Sequence, residues 1–247
     1  MRIAALAGVV AACTAGEIDD DGTILVSGAA ARPDAATPIN YEGRIPIWQG
    51  VVDPKVRMEC AGDPTEGWTE YRDTFRIERP YDLRAIDRFK LDGGIYTFWV
   101  FPDDKPHTAA SSTAPRTEAR WSNFASTVPH MWSADMMIES PSNHVTVMQV
   151  HTTTTGAGPV YLRVDNGSLH RLNGPNFAGG LYNRWVNMKV SFDPITLQST
   201  VYINNCPKNT ATGPRGDGNN YFKNGVYTCT SPICRAHFKN IHLYRRQ

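Results

Sequence analysis

A chain of 247 residues with 41% hydrophobic content can bury one sizeable core. Its 25 Lys and Arg against 24 Asp and Glu give a formal net charge of +1. No global field therefore gathers a polyanion, and the absence of a basic stripe with a binding motif argues against nucleic acid.

The chain begins Met1-Arg2-Ile3, followed by an apolar run from Ala4 to Ala12. This reads as a secretory signal over 1–15, with Cys13 and Ala15 supplying the small residues before cleavage. Val10-Ala11-Ala12-Cys13 also resembles a bacterial lipoprotein box, which would anchor the chain through Cys13. The run is far shorter than the roughly 20 residues that span a bilayer, so no membrane span is expected. A buried N-terminal helix is the structural alternative, but the run lacks an amphipathic pattern. Residues 16–38, rich in Ala, Gly, Asp and Pro, read as a linker or poorly ordered arm, and the folded domain is expected over 39–247.

From Tyr41 onward, short β-type runs alternate with turn signals. Strands are predicted from Gly94 to Val100, Val145 to His151, Val160 to Val164, Trp185 to Phe192 and Thr200 to Asn204. Asp92-Gly93-Gly94, Asp165-Asn166-Gly167, Asn173-Gly174-Pro175 and Gly216-Asp217-Gly218-Asn219 punctuate them. Long helical periodicity and internal repeats are missing. The chain therefore reads as all-β: a single-domain antiparallel β-sandwich. Asp103-Asp104 is read as a solvated loop charge, as is Asp19-Asp20-Asp21.

Three segments interrupt this apolar logic. In Arg116-Thr117-Glu118-Ala119-Arg120, the three charged residues share one strand face, and Thr117, Ala119 and Trp121 turn inward. Gln149 and His151 share a face in Gln149-Val150-His151, with Met148 and Val150 opposite. The third is Tyr221-Phe222-Lys223-Asn224-Gly225-Val226-Tyr227. A sheet face carrying Arg, Gln, His, Lys and Tyr is poor packing material and suits the binding and deprotonation of an acidic sugar. Tyr221 and Phe222 are read as packing. The other histidines, His107, His130, His144, His170, His237 and His242, carry no comparable support; His130, beside Trp132, lines a cleft or the core.

Of five cysteines, Cys60, Cys206, Cys229 and Cys234 remain once a signal is removed, which suggests two disulfides with connectivity open among three patterns. Cys229 and Cys234 flank a turn-rich segment that can bring them together. Pairing of Cys206 with either would staple the loop before Tyr221. No pair has zinc-finger spacing. Asn166-Gly167-Ser168 is a glycosylation sequon.

The three segments, in this order, resemble the family 7 polysaccharide lyases, or alginate lyases. That family carries Arg-x-Glu-hydrophobic-Arg, Gln-Ile/Val-His and Tyr-Phe-Lys-x-Gly-x-Tyr blocks. Ile95-Tyr96-Thr97-Phe98-Trp99-Val100 and Ala114-Pro115-Arg116 are also similar, and the likeness runs over roughly residues 40–247. Ala119 stands where the family usually has Leu or Val, and Cys229 where it often has Gln. The resemblance implies a β-jelly roll and cleavage of a 1,4-linked polyuronate by β-elimination.

Such a lyase removes the proton at C5, α to the carboxylate, and expels O4. The carboxylate must be neutralised, a base must reach C5–H, and an acid must protonate the leaving oxygen. The resemblance assigns these roles to Arg116, Gln149, His151 and Tyr227. Tyr227 is the acid and also the base, with neighbouring Arg116 or Lys223 lowering its ordinary pKa of about 10. His151 titrates near neutrality and serves as base or orients the carboxylate. Gln149 and Arg116 hold the carboxylate. Glu118 pins Arg116 and Arg120, and Lys223 and Arg120 contact flanking uronates. The reaction needs no metal or cofactor; calcium in a loop would be structural.

In β-mannuronate C5–H and O4 lie on the same side, so one tyrosine can do both transfers; in α-guluronate a histidine must take the proton from across the sugar. Val rather than Ile in the Gln-x-His block is loosely associated with mannuronate preference in the family, and Val150 matches it. Glucuronan shares the C4/C5 arrangement and is the nearest alternative substrate. A non-catalytic carbohydrate-binding sandwich is a different class, but such modules use aromatic platforms. Glycoside hydrolysis needs two flanking carboxyl groups, and Glu118, alone in the motifs, sits between arginines that favour its charged form. The expectation is a secreted, monomeric lyase whose partner is an acidic polysaccharide.

Overall fold

The computed structural model describes residues 23–24, 60, 62–152 and 158–246. Sixteen strands follow in chain order: β1 Thr23–Ile24, β2 Thr69–Tyr71, β3 Phe75–Glu78, β4 Phe89–Asp92, β5 Ile95–Val100, β6 Arg116–Trp121, β7 His130–Ile138 and β8 Val145–His151. They continue with β9 Val160–Asp165, β10 Ser168–Arg171, β11 Asn176–Ala178, β12 Val186–Phe192, β13 Gln198–Ile203, β14 Cys206–Thr212, β15 Tyr221–Tyr227 and β16 Cys234–Arg245. One 3₁₀ turn, Ala85–Asp87, precedes β4. The predicted strands are present to within two residues at each end. Within the segment expected to be a linker, Thr23–Ile24 pairs antiparallel with β3; the expected signal and the rest of the arm lie outside the described residues.

Two antiparallel sheets face one another. One has the order β1-β3-β6-β15-β8-β9-β10-β11, and the other β14-β13-β12-β7-β16-β5-β4, with β2 beside β16. This is the antiparallel sandwich that alternation implied, in the β-jelly-roll form that the resemblance implied. Phe75, Ile77, Ala119, Trp121, Met148, Val150, Phe222 and Val226 point inward from the first sheet. Phe98, Trp132, Met136, Val190, Phe192 and Phe238 meet them from the second. Aromatic edges interlock there, with Phe98 and Phe238 at 5.8 Å and Trp132 and Phe238 at 6.0 Å between ring centroids. Because strand side chains alternate, every apolar residue buried from β6, β8 and β15 obliges its polar neighbour onto the outer face of the first sheet.

The disulfides are Cys60–Cys206 and Cys229–Cys234. Cys206 therefore pairs with neither C-terminal cysteine. It ties the start of β14 to the chain before β2, while Cys229–Cys234 closes the turn between β15 and β16. Asp104 is not a solvated loop charge either. Its carboxylate accepts from Arg88 at 2.8 and 2.7 Å and from the Phe101 amide at 2.8 Å, pinning the turn after β5.

Candidate active site

Strands β3, β6, β15, β8 and β9 lie side by side, and their registers set out the polar face in rows. Arg76, Arg120, Lys223, Gln149 and Tyr161 are successive cross-strand neighbours. One step along the strands, Glu78 opposes Glu118, which opposes Gly225. A further step brings Tyr227 opposite Arg116. Like charges opposite one another destabilise a sheet. Here a cationic row lies beside an acidic one, so diagonal contacts neutralise both.

Gly225 is the hinge of this layout. Its φ is +147°, and a Cβ there would lie 2.3 Å from the Thr117 carbonyl oxygen and 2.7 Å from Glu118 Cα. Only glycine allows β15 to approach β6 so closely. The β15–β8 register slips between Asn224 and Tyr227, and this irregularity sets Tyr227 at the end of the face.

Lys223 is 1% exposed. Its ammonium lies 2.6 Å from Glu118 and 2.8 Å from Glu78. Arg116 sits 3.7 Å from each of the same two carboxylates, and its ring-facing side lies 4.2 Å from the centre of Tyr227. Glu118 also accepts from Gln149 Nε2. A carboxylate only accepts, so the amide of Gln149 is oriented with its oxygen turned away. Among the described residues, neither Gln149 Oε1 nor Arg116 Nε meets a partner, although both are buried. The face thus holds an unused acceptor on Gln149 and an unused donor on Arg116. Burial alone would raise the Glu78 pKa; the Lys223 charge and hydrogen bond, with Arg116, outweigh it and hold Glu78 at about 2.

Around His151 the arrangement is a stack. Arg120 lies 3.9 Å above the Tyr221 ring, and that ring stacks on His151 with centroids 5.4 Å apart. His151 Nδ1 meets the Thr152 carbonyl, which can only accept, and lies 3.1 Å from the Tyr221 hydroxyl. A proton on Nδ1 satisfies the carbonyl and leaves Nε2 the lone pair a base requires. The Tyr221 hydroxyl donates to the same carbonyl at 3.3 Å. Burial lowers the His151 pKa, assisted by the Lys223 and Arg116 charges, so the ring is neutral at neutral pH. Burial raises that of Tyr221, which stays a phenol. His151 and Tyr227 remain half-buried at the surface of the face, above buried Arg116, Gln149, Glu118 and Lys223.

The structure thus brings all seven predicted site residues onto one face, with two changes of part. Lys223, expected to contact a flanking uronate, is a buried clamp between two carboxylates. Glu118 holds Lys223 and Gln149 rather than Arg120, whose Nη2 donates to Asn123 at 2.7 Å and whose Nε lies 4.0 Å from Glu78. Tyr221 packs, as expected, and does so against the His151 ring. Sequence reasoning missed Glu78 and Tyr161. Both stand at outward positions of alternating strands, Phe75-Arg76-Ile77-Glu78 and Val160-Tyr161-Leu162, and that alternation was the available signal. Burial raises the Tyr161 pKa well above the usual range.

The remaining histidines are engaged elsewhere, except for His107. His130 stacks on Phe124 at 4.3 Å and meets the Tyr71 hydroxyl at 3.1 Å, which places it in the core. His144 and His170 both bind Asp165, at 3.2 and 2.7 Å. His237 binds Glu139 and His242 binds Glu70. His107, on the β5–β6 connection, has its pKa lowered by burial and by Arg116. Among the described residues, no cluster of His, Cys, Asp or Glu is disposed to hold a metal ion, and no helix is long and apolar enough to cross a membrane.

A family model described as alginate lyase matches residues 71–245. A citrate-binding protein of Hevea brasiliensis is 35% identical over 201 residues, spanning 77% of this chain and 83% of its own length. Among solved structures, alginate lyase A1-II′, a member of polysaccharide lyase family 7, superposes with a TM-score of 0.56 at 18% identity, over 70% of this chain and 94% of its own. It superposes similarly as a complex with a substrate, GGMG, at a TM-score of 0.55, and with a product, GGG, at 0.54. The alginate lyase from Corynebacterium sp. gives 0.51 at 16% identity, over 64% of this chain and 81% of its own. At these identities the structural likenesses establish the fold.

Proposed function

The chain belongs to the alginate lyase family, and from that premise we propose that it cleaves a 1,4-linked polyuronate by β-elimination, with mannuronate-rich alginate as the favoured substrate. The observation that carries this reading is the convergence of Arg116, Gln149, His151 and Tyr227 on one sheet face, with the acid–base tips outermost. Arg116 supplies the cation and free Nε–H for the sugar carboxylate, and Gln149 supplies an amide to the same sugar through its remaining N–H or its free oxygen. For a mannuronate unit Tyr227 removes the C5 proton and returns one to O4. For a guluronate unit His151 Nε2 takes the proton from the other side. The electron pair left at C5 forms the C4–C5 double bond as the O4 bond breaks.

Hydrolysis is disfavoured despite the second carboxylate the fold supplies. Glu78 and Glu118 are bridged by Lys223, and a carboxyl held at about 2 is no general acid. The two disulfides suit an exported protein. The leader over 1–15, an arm over 16–38, a single domain beyond it and a monomeric state belong to the same proposal.

The identity to a citrate-binding protein favours a second reading, a carboxylate binder without turnover. His151 and Tyr227 count against it: both stay half-buried at the surface of the face, and binding alone needs no acid–base pair there. The test is ultraviolet absorbance of the unsaturated product on polymannuronate, polyguluronate and glucuronan separately, with citrate titrated by calorimetry. Absorbance rising on any polymer establishes the lyase and names its substrate. Citrate heat with no product on all three establishes the binder.

A further inference from the structure

We propose that Glu78, which lies outside all three sequence blocks, is a positioning residue of this site, acting through Arg116 and Lys223. The inference rests on the lyase reading of the face.

Glu118 alone faces three donors: Gln149 Nε2, the Lys223 ammonium and the Arg116 guanidinium. Gln149 takes Oε1, while Lys223 and Arg116 share Oε2. Glu78 enters from β3 directly opposite Glu118 and takes a share of two of them, Lys223 at 2.8 Å and Arg116 at 3.7 Å. Two consequences follow. Lys223 is fixed from both sides, so Glu118 keeps one oxygen for Gln149 and the amide stays oriented. Arg116 is held loosely between two carboxylates rather than tightly by one. A close bidentate pair would occupy the guanidinium fork that a substrate carboxylate needs; among the described residues Arg116 instead donates from Nη2 to Thr113 Oγ1 at 3.0 Å.

Glu78 also touches the remaining cations of the row, Arg120 at 4.0 Å and Arg76 at 3.8 Å. It therefore sets the charge surplus of the face. Without it the surplus grows by one positive charge, which strengthens hold on any polyanion and releases Arg116 toward Glu118. Binding and turnover are expected to move in opposite directions, and loss of a structural ion pair gives no such split.

The experiment compares wild type, Glu78→Gln and Glu78→Asp for kcat and KM on the polyuronate the wild type cleaves, with folding checked by circular dichroism. For Glu78→Gln, KM is expected to fall by about threefold or more. Its kcat should fall by about tenfold to a hundredfold, the scale of sub-ångström to ångström misplacement of a catalytic group. Glu78→Asp, which keeps the charge but not the reach, should restore KM while kcat stays low. Folded Glu78→Gln with kcat and KM both within about twofold of wild type overturns the inference. If Glu78→Gln does not fold, the decision passes to Glu78→Asp, whose unchanged kcat overturns it. A wild type that leaves every polyuronate uncut overturns the lyase reading and this inference together; an active wild type with unaffected variants overturns the inference alone.

Discussion

Replacing Lys223 with Met tests the charge platform directly, because the change keeps the length of the side chain and removes only the ammonium. In the wild type that ammonium lies within 2.8 Å of both carboxylates, and its side chain is almost completely shielded from water. The variant leaves Glu78 and Glu118 opposed across β3 and β6, with Arg116 at 3.7 Å as the nearest remaining cation. Removing one partner of a buried ion pair typically costs about 3–5 kcal/mol. Arg116 still screens both carboxylates, so the lower end, about 3 kcal/mol, is expected. For a domain of this size that lowers Tm by about 6–12 °C. The sign of the pH dependence adds a second check. In the wild type Glu78 has a folded pKa near 2 against an ordinary 4.5, so it contributes stability at neutral pH that is lost as pH falls from about 4.5 toward 2. In the variant the two carboxylates repel, and the deficit shrinks as acid protonates them. The assay is thermal and urea denaturation followed by circular dichroism at neutral pH and near pH 4.5. Adding Glu118→Gln should recover part of the loss, giving a non-additive cycle. A loss below about 1 kcal/mol, with a pH profile parallel to wild type, would mean that Lys223 is a solvated cation free to touch substrate, and the platform would be wrong.

Other consequences are equally open to measurement. Tyr227→Phe should reduce kcat by about a hundredfold to ten-thousandfold, with oligouronate binding and Tm unchanged; near wild-type turnover would remove Tyr227 from the chemistry. His151→Ala should impair guluronate cleavage more than mannuronate cleavage, and equal losses would point to a shared carboxylate-binding part. Because burial lowers the His151 pKa, kcat/KM on polyguluronate should keep its plateau below pH 6.5 and fall only at more acidic pH; a fall centred at or above 6.5 speaks against His151 as base. Removing Cys60–Cys206, which spans 146 residues, should cost about 5 kcal/mol, against about 2 kcal/mol for Cys229–Cys234, which spans 5; denaturant midpoints of the two double Cys→Ala variants rank them. His130, held near 4 by burial, takes up a proton more readily unfolded than folded between about pH 6.5 and 4. Stability should fall through that window, and His130→Phe should flatten this slope in a Tm–pH series.

What the sequence made legible is what strand alternation governs. Met148 and Val150 inward required Gln149 and His151 outward, and the same parity placed Arg116, Glu118 and Arg120 together. Parity says nothing of which strands become neighbours. Glu78 sits 40 residues before Glu118 and 145 before Lys223, and only the β3–β6 and β6–β15 pairings bring the three together. Lys223 therefore read as a contact for a flanking uronate, since a lysine's burial depends on counter-charges arriving from distant strands. The cysteines divide the same way. Cys229 and Cys234 are close along the chain and pair across a turn, while the partner of Cys206 is fixed by packing 146 residues away.

The layering of this face bears on how one fold can serve both a lyase and a carboxylate binder. Glu78, Glu118 and Lys223 are shielded and mutually satisfied, so they fix geometry whether or not any reaction occurs. Arg116 and Gln149, buried beside them, retain an unused donor and acceptor, which on the proposed reading suffices to recognise a carboxylate-bearing ligand. Turnover needs more, a proton acceptor and donor at the open surface, the part proposed here for Tyr227 and His151. A tip substitution can therefore end catalysis while leaving recognition intact, whereas a substitution in the platform disturbs both. On this reasoning the presence of both tips above an intact platform, rather than the fold or the carboxylate-binding pair, is what separates an enzyme from a binder in this chain.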